Sequence, residues 1–243
     1  MISLPRDVSS AKSEPSSWRF KEEAILFLSR FYSERVFPYI CDCLVRNRRF
    51  DQRRRTILQF AHGNILELGI GTGRNLKFYP PGVREIVAID PSVGMESLLW
   101  KKSLKQPESQ RIKIRFHRGS AEELPFRDHS FDTVVSTITL CSIGNLNKAL
   151  REIRRVLKRD GEFLFLDHGL SPDPSVAAWQ SRLDPVEKVV ACGCSLVVDV
   201  EKELLNAGFR IVDLKKYYLP AVPKVLGHLF EGRARPREGD VQS

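Results

Sequence analysis

A short apolar strand that runs into closely spaced glycines constrains this chain more than any other feature. Residues 65–73 read Ile-Leu-Glu-Leu-Gly-Ile-Gly-Thr-Gly, so every second position from 69 to 73 is glycine. Glycine is required where the backbone turns with positive φ or must approach a ligand closely. A dinucleotide fingerprint would read Gly-x-Gly-x-x-Gly, whereas here Arg74 follows the third glycine. The carboxylate of Glu67 suits a ligand with a cationic amino group, but the glycines alone do not separate such a ligand from a nicotinamide cofactor.

Beyond Asn64, short apolar runs alternate with stretches of helical spacing. This alternation predicts an α/β domain whose parallel sheet is covered on both faces and whose crossovers are right-handed. The predicted strands are Ile65–Leu68, Glu85–Asp90, Lys113–His117, Phe131–Ser136, Gly161–His168 and Phe209–Tyr217, with a candidate last strand at Val225–Glu231. The predicted helices are Ser92–Lys105, Leu146–Lys158 and Val198–Asn206.

The N-terminal part of the chain is predicted to form a helical appendage. Residues 18–45 are rich in large apolar groups at helical spacing, and Pro38 should end or kink this segment, so we expect two helices. A lid is favoured over a helix lying on a membrane, because acidic residues interrupt the polar face. The predicted organisation is a disordered leader at 1–17, a helical lid at 18–60, the main domain at 61–235 and a flexible tail at 236–243.

Composition narrows the classes of function. The formal charge is +9, and six arginines fall within Arg46–Arg55, where a solvated surface explains them better than an anion site. Five cysteines in a chain without an apolar leader favour reduced thiols in the cytoplasm. Two Cys-x-Cys pairs, at 41/43 and 192/194, are spaced more tightly than zinc ligands usually are. We therefore predict no metal site.

Asp90 strengthens the interpretation of the glycine loop. It ends the second predicted strand, where a carboxylate can accept hydrogen bonds from both hydroxyls of a ribose. It also precedes Pro91-Ser92, so it is placed to cap a helix, and the two roles are compatible.

Several ordered motifs between about residues 60 and 215 carry a family resemblance. They are LELGIGTGRN, VAIDPS, GSAEELPF, HSFDTVVS and REIRRVLKRDGEFLFLDHG. Together they resemble the class I S-adenosylmethionine (SAM)-dependent methyltransferases, in the broad group of ubiquinone and menaquinone methyltransferases. The resemblance implies a Rossmann-like, doubly wound, mostly parallel seven-stranded sheet with an N-terminal helical extension. It also implies SAM as cofactor and S-adenosylhomocysteine as its product.

The resemblance assigns cofactor contacts position by position. The methionine part would be surrounded by Glu67, Gly69, Gly71, Gly73 and Asn75. Asp90 would hold the ribose. The adenine would lie beside Pro91, Ser92, Met95, Ser120, Ala121 and Glu122, with Ser120 standing where many relatives have Asp. Thr137 and Leu140 would flank the sulfonium.

The acceptor side resembles a narrower group. The segments TITLCSI, DHGLSPDPSVAAWQSRLDP and CGCSL look like a bacterial branch related to animal methyltransferase-like thiol methyltransferases, in which CGCSL usually reads Gly-Gly-Cys-His-Leu. Here Ser195 stands in place of that His. The expected acceptor is a small apolar thiol, quinone or phenol, reached by in-line displacement. Asp167 and His168 are the candidate general bases. The candidate pocket residues are Tyr32, Tyr39, Cys141, Trp179, Cys192 and Cys194.

Other functions remain open at this point. A nucleic-acid methyltransferase is disfavoured, because Ser136-Thr137-Ile138-Thr139 stands where such enzymes carry an Asn/Asp-Pro-Pro-aromatic stretch. A lipid methyltransferase would use the apolar N-terminal segment and Arg46–Arg55 for peripheral membrane contact. A SAM-binding protein without turnover and a metalloid methyltransferase are further alternatives.

Overall fold

The computed structural model describes residues 16–105 and 112–237, and within them it shows one seven-stranded sheet. The predicted leader up to residue 15 and the tail beyond residue 237 lie outside the described residues. In spatial order the strands are β3 (Lys113–Arg118), β2 (Glu85–Asp90), β1 (Ile65–Leu68), β4 (Phe131–Thr137), β5 (Leu157–His168), β7 (His228–Pro236) and β6 (Phe209–Tyr218). Among these strands β7 runs in the direction opposite to the other six, so both of its pairings are antiparallel. The predicted doubly wound, mostly parallel sheet is confirmed.

Helices cover both faces of the sheet, because each buried strand alternates its side chains between two cores. The helices are α1 (Ser16–Phe31), α2 (Phe37–Leu44), α3 (Arg48–Leu58), α4 (Val93–Ser103), α5 (Leu146–Val156), α6 (Pro174–Val190), α7 (Val200–Asn206) and α8 (Lys224–Gly227). In β1, Leu66 and Leu68 face the core that α5 and α7 cover, whereas Ile65 faces the core of α3 and α4. Strand order reverses between β1 and β4, which is where ligands of such sheets bind.

Several predicted boundaries are wrong. The chain turns from α5 into β5 at Leu157, so the predicted helix end at Lys158 and strand start at Gly161 both move. The last strand begins at His228, because Lys224–Gly227 forms a helical turn. Helix α6 was not predicted. It contains Pro185, which lacks a backbone donor and usually ends helices, yet this helix continues to Val190.

One glycine of α4 allows the N-terminal helices to pack closely on the domain. A π-helical turn, Tyr32–Val36, joins α1 to α2, and Pro38 lies in the first turn of α2, so the helix changes register where Pro38 was predicted to break it. A Cβ atom on Gly94 would overlap the carbonyl oxygen of Glu34 and lie 2.7 Å from Cγ of Pro38. The close contact between this segment and α4 therefore requires glycine at position 94.

Candidate active site

The glycine loop leaves an open space at one position only. Gly69, Gly71 and Gly73 all have positive φ, at 61°, 53° and 76°. A Cβ on Gly69 would overlap the side chain of Thr139, and one on Gly73 would lie 2.6 Å from Leu99. At Gly71 the nearest atoms would be 3.9 Å away. Packing therefore explains the outer two glycines, while the middle one faces space that a ligand can fill.

Asp90 and the loop are joined by hydrogen bonds. Its Oδ2 accepts the Gly71 N–H at 2.9 Å, and its Oδ1 accepts the Ser92 N–H at 2.9 Å. The Ser92 hydroxyl in turn accepts the Met95 N–H and caps α4. Burial raises the pKa of Asp90. The structure thus places the ribose and adenine candidates from β2 and α4 directly against the middle of the glycine loop.

Glu67 lies beneath the loop. Its side chain is buried, its Oε1 accepts the Asn75 amide at 2.9 Å, and its Oε2 accepts the Tyr79 hydroxyl at 2.8 Å. Asn75 also donates to Thr137 Oγ1 at 2.9 Å. Burial raises the pKa of Glu67 to about 7. Both carboxylate oxygens of Glu67 thus have partners within the protein, and its contact with the methionine part of SAM stays a prediction. Tyr79 is a partner that sequence reasoning missed.

Two hydrogen bonds hold the segment that is predicted to lie beside the adenine. The Ser120 hydroxyl accepts the N–H of Glu122 at 3.1 Å, and Glu122 Oε1 accepts the N–H of Asn145 at 3.0 Å. Ser120 is exposed, and Ala121 packs against the core. These contacts fix the turn after β3 relative to the start of α5. Pro91 is exposed beside this segment.

Asp167 is a structural residue, which corrects its prediction as a general base. Its Oδ2 accepts the N–H groups of Thr139 at 2.8 Å and Leu140 at 2.7 Å, and its Oδ1 accepts that of His168 at 2.9 Å. The side chain is fully buried. It holds the turn after β4, where Ile138 has φ 52°. A β-branched residue at positive φ is strained, and such strain concentrates at functional sites.

Three residues from separate segments meet beside this turn. Nε2 of His168 lies 3.0 Å from Sγ of Cys194, which lies 3.5 Å from Sγ of Cys141. The hydrogen bond from Cys141 and the contact with His168 lower the pKa of the Cys194 thiol to about 5. Against the opposing effect of burial, the Cys194 sulfur raises the pKa of His168 to about 9. Among the described residues, Nδ1 of His168 is buried without a hydrogen-bond partner.

The remaining pocket candidates do not join that group. Tyr39 is 57% exposed, and Trp179 is 55% exposed with Arg182 over its ring at 5.3 Å. Tyr32 donates to the Val190 carbonyl at 2.7 Å, so it ties the N-terminal segment to the end of α6. Cys192 is half-buried in a turn with φ 49°. Tyr39 and Trp179 thus face solvent, and their place in an acceptor pocket stays a prediction.

Ser195 has a structural partner. Its hydroxyl donates to Oδ1 of Asp184 at 2.8 Å, and the same oxygen accepts the N–H of Leu196 at 2.7 Å. The Ser195 N–H also donates to the carbonyl of Cys141 at 2.8 Å. These bonds fasten the loop that carries Cys194 both to α6 and to the turn after β4.

Sequence reasoning missed Asp42, which fastens α2 to the glycine loop. It accepts hydrogen bonds from Thr72, from Nε of Arg74 at 2.9 Å and from the Lys102 ammonium group. Although burial opposes the change, these bonds lower the pKa of Asp42 to about 2. Burial raises the pKa of the neighbouring Cys41 to about 11. No local sequence pattern identifies Asp42, because its hydrogen-bond partners lie 30 or more positions away along the chain.

The interpretation of Arg46–Arg55 as a solvated surface is wrong in part. Arg54 is buried and donates to the carbonyl of Val45. Arg53 lies over the ring of Tyr217 and Arg55 over that of Phe78. Arg49 donates to the carbonyl of Pro220. Because four of these side chains bind other parts of the fold, they do not form a free anion-binding patch.

A large cavity, of about 1020 Å³, lies at the amino ends of the strands, on the side of the sheet opposite to the glycine loop. Its walls include residues that precede β1, β2 and β4, such as Asn64, Arg84 and Ser130. Ligands of doubly wound sheets bind beyond the carboxyl ends of the strands. Since the glycine loop, Asp90 and the Cys141–His168–Cys194 group all lie at the carboxyl edge, we place the active site there.

Known proteins match this chain in sequence and in fold. Residues 66–165 match the methyltransferase domain family. Thiol S-methyltransferase TMT1B of Homo sapiens is 34% identical over 208 residues, which are 79% of this chain and 84% of that protein. Thiol S-methyltransferase TMT1A of Homo sapiens is 36% identical over 167 residues, or 65% of this chain and 64% of the relative. The crystal structure of YcgJ from Bacillus subtilis has a TM-score of 0.58 at 19% identity, covering 77% of this chain and 97% of that one. The chain therefore belongs to the class I SAM-dependent methyltransferases.

Proposed function

We propose that this enzyme transfers the methyl group of SAM to the sulfur of a small, apolar thiol. The observation that carries the proposal is the extent of the similarity to TMT1B, which spans 79% of the chain and so exceeds the domain at residues 66–165. The runner-up acceptors are a quinone or a phenol.

The residues at the carboxyl edge fit SAM. The space at Gly71 lies beside Asp90, whose carboxylate suits a ribose, and beside Met95, whose Sδ would be 3.9 Å from a Cβ at position 71. Asn75 and Thr137 lie deeper, toward the expected methionine part and sulfonium. When bound there, SAM supplies a methyl group on a positively charged sulfur.

The chain's own residues contribute position and exclusion of water. The turn held by Asp167 presents Thr139 and Leu140 at the end of β4, next to the buried Cys141. The α1–α2 segment, anchored at Gly94 and Asp42, acts as a lid over the glycine loop. Excluding water favours the attack of a thiolate on a sulfonium, because the opposite charges cancel in the transition state.

An acceptor screen with methyl-labelled SAM tests the proposal. Thiols, phenols, quinones, amines and lipids are compared under one set of conditions, with Asp90→Ala as the variant that should lose turnover and Asp160→Ala as its surface control. We expect label in thioether products above all others. Preferential labelling of another class would refute the thiol assignment. SAM binding without any labelled product would instead favour a binding protein without turnover.

Exposed apolar side chains favour a second candidate function. In it the enzyme acts at a membrane surface, where it methylates a lipid or an acceptor dissolved in the bilayer. Phe27 on α1 is 69% exposed and Val189 on α6 is 76% exposed, and the Tyr32 bond to Val190 joins these elements. Large exposed apolar patches mark interaction sites. None of the described helices is both long and apolar enough to cross a bilayer.

Co-sedimentation with vesicles separates this candidate from the first. Phe27→Asp should reduce binding to phosphatidylcholine vesicles if the face docks on lipid, whereas Val212→Asp, an exposed apolar position on β6, should not. If wild-type protein stays in the supernatant with both neutral and anionic vesicles, the membrane candidate is refuted.

A further inference from the structure

We propose that Cys141, His168 and Cys194 form a binding site for a thiophilic divalent cation such as zinc. Their potential ligand atoms all lie within 4.8 Å of one another. They come from the turn after β4, the end of β5 and the loop after α6. Thiolate and imidazole are the donors that zinc prefers in proteins.

The spacing of the donor atoms fits a tetrahedral ion. With zinc bonds of about 2.3 Å to sulfur and 2.0–2.1 Å to nitrogen, donors on a tetrahedron lie about 3.5–3.8 Å apart. The two sulfurs are already 3.5 Å apart, and Cys194 Sγ is 3.0 Å from His168 Nε2. An ion therefore requires the imidazole to move outward by about half an ångström, which a side-chain rotation provides.

The backbone around each ligand is held by contacts that do not involve the ion. Asp167 fixes the turn before Cys141 and the backbone of His168, and Ser195 binds both Asp184 and the carbonyl of Cys141. Supporting hydrogen bonds of this kind orient the ligands of metal sites. The site is thus preformed in the fold, and one free coordination position would remain.

Three protein ligands and one open position are the arrangement of catalytic zinc sites. We infer that the acceptor thiol occupies the open position, a step that rests on the proposed function. On binding, the thiol proton leaves to solvent, because a coordinated thiol is deprotonated. The sulfur then forms a bond to the methyl carbon as the bond from that carbon to the donor sulfonium breaks. The thioether product is neutral and a weaker ligand than the thiolate.

Metal loading of the reduced, full-length protein tests the site. After chelator treatment, the protein is titrated with Zn²⁺ and, in parallel, with Co²⁺, whose bonds to thiolate give charge-transfer absorption. We expect one ion per chain and the absorption band. Cys141→Ser and Cys194→Ser should each bind more than about 100-fold more weakly, since losing a ligand costs more than losing an outer-shell partner. His168→Gln should also weaken binding.

Controls make each outcome decisive. Cys192→Ser and Cys43→Ser remove thiols outside the group and should retain one ion per chain. Near-ultraviolet circular dichroism confirms that each variant is folded. Absence of a bound ion in the wild type, or full binding by folded Cys194→Ser, would overturn the site. These assays contain no methyl donor, so their outcome does not depend on the proposed function. If the protein binds the ion but the acceptor screen with labelled SAM gives no thioether, the proposed acceptor is refuted and the metal site stands.

Discussion

The two halves of the active site are built in different ways. On the cofactor side, most of the interacting residues are close in sequence, such as the glycines at 69–73 and the pair Asp90 and Ser92. On the proposed acceptor side, Cys141, His168 and Cys194 come from three segments up to 53 positions apart. A cofactor common to a superfamily can be bound by one local motif, whereas an acceptor is bound by loops that the fold brings together.

The largest expected effect tests whether Gly71 faces the cofactor. Gly71→Ala places a methyl group in the open space beside Asp90 and should weaken SAM binding about 100-fold, equivalent to roughly 2.7 kcal/mol. Calorimetric titration measures the affinity. Gly82→Ala is the control, because a Cβ there meets nothing within 4 Å and lies away from the glycine loop. Equal affinities for the two variants would show that the open space belongs to no ligand.

The second prediction concerns Glu67, the buried carboxylate that lies beneath the glycine loop. Its pKa is raised from 4.5 to about 7 by burial, so between these values the folded state binds more protons than the unfolded state. Stability attributable to Glu67 is therefore complete below pH 4.5 and is lost as pH rises through 7. Between pH 5 and 8 the wild type should lose about 2 kcal/mol relative to Glu67→Gln.

Denaturant unfolding of both proteins at several pH values measures this difference. Glu85→Gln is a suitable control, because the Glu85 pKa is lowered by its bond with Lys113 and so shifts in the other direction. Parallel curves for wild type and Glu67→Gln would contradict a buried carboxyl with a raised pKa.

The contrast between the halves also explains what the sequence could predict. The sheet and the glycine loop follow from periodicity and local spacing, and Asp90 was identified because it ends a strand. Asp42 and the Cys141–His168–Cys194 group depend on contacts between distant segments, which spacing does not encode. The spacing of the two Cys-x-Cys pairs does not indicate this group, because the Cys194 sulfur contacts that of Cys141, 53 positions away.

The third prediction concerns the α1–α2 segment, which is the proposed lid. Gly94→Ala should force the α1–α2 segment away from α4, at a cost of about 1.5 kcal/mol for overpacking, or roughly tenfold in the lid's docking equilibrium. Cleavage by trypsin at Arg30 and Arg35 should become faster, and the acceptor KM should rise more than the SAM Kd. Gly144→Ala, whose Cβ would lie 3.4 Å from Glu122, serves as control. An unchanged cleavage rate would show that Gly94 does not hold the lid.

The smallest effect tests strain in the acceptor half. Cys192 has φ 49°, a conformation that costs a residue with a Cβ about 1–2 kcal/mol. Glycine at this position would relieve that strain, but the loss of the half-buried side chain would offset part of the gain in stability. Cys192→Gly should therefore stabilise the protein by about 0.5–1 kcal/mol in denaturant unfolding. The same change at Cys43, exposed on α2, should destabilise by about 1 kcal/mol, because glycine weakens a helix. If both variants lose stability alike, the loop beside Cys194 stores no backbone strain.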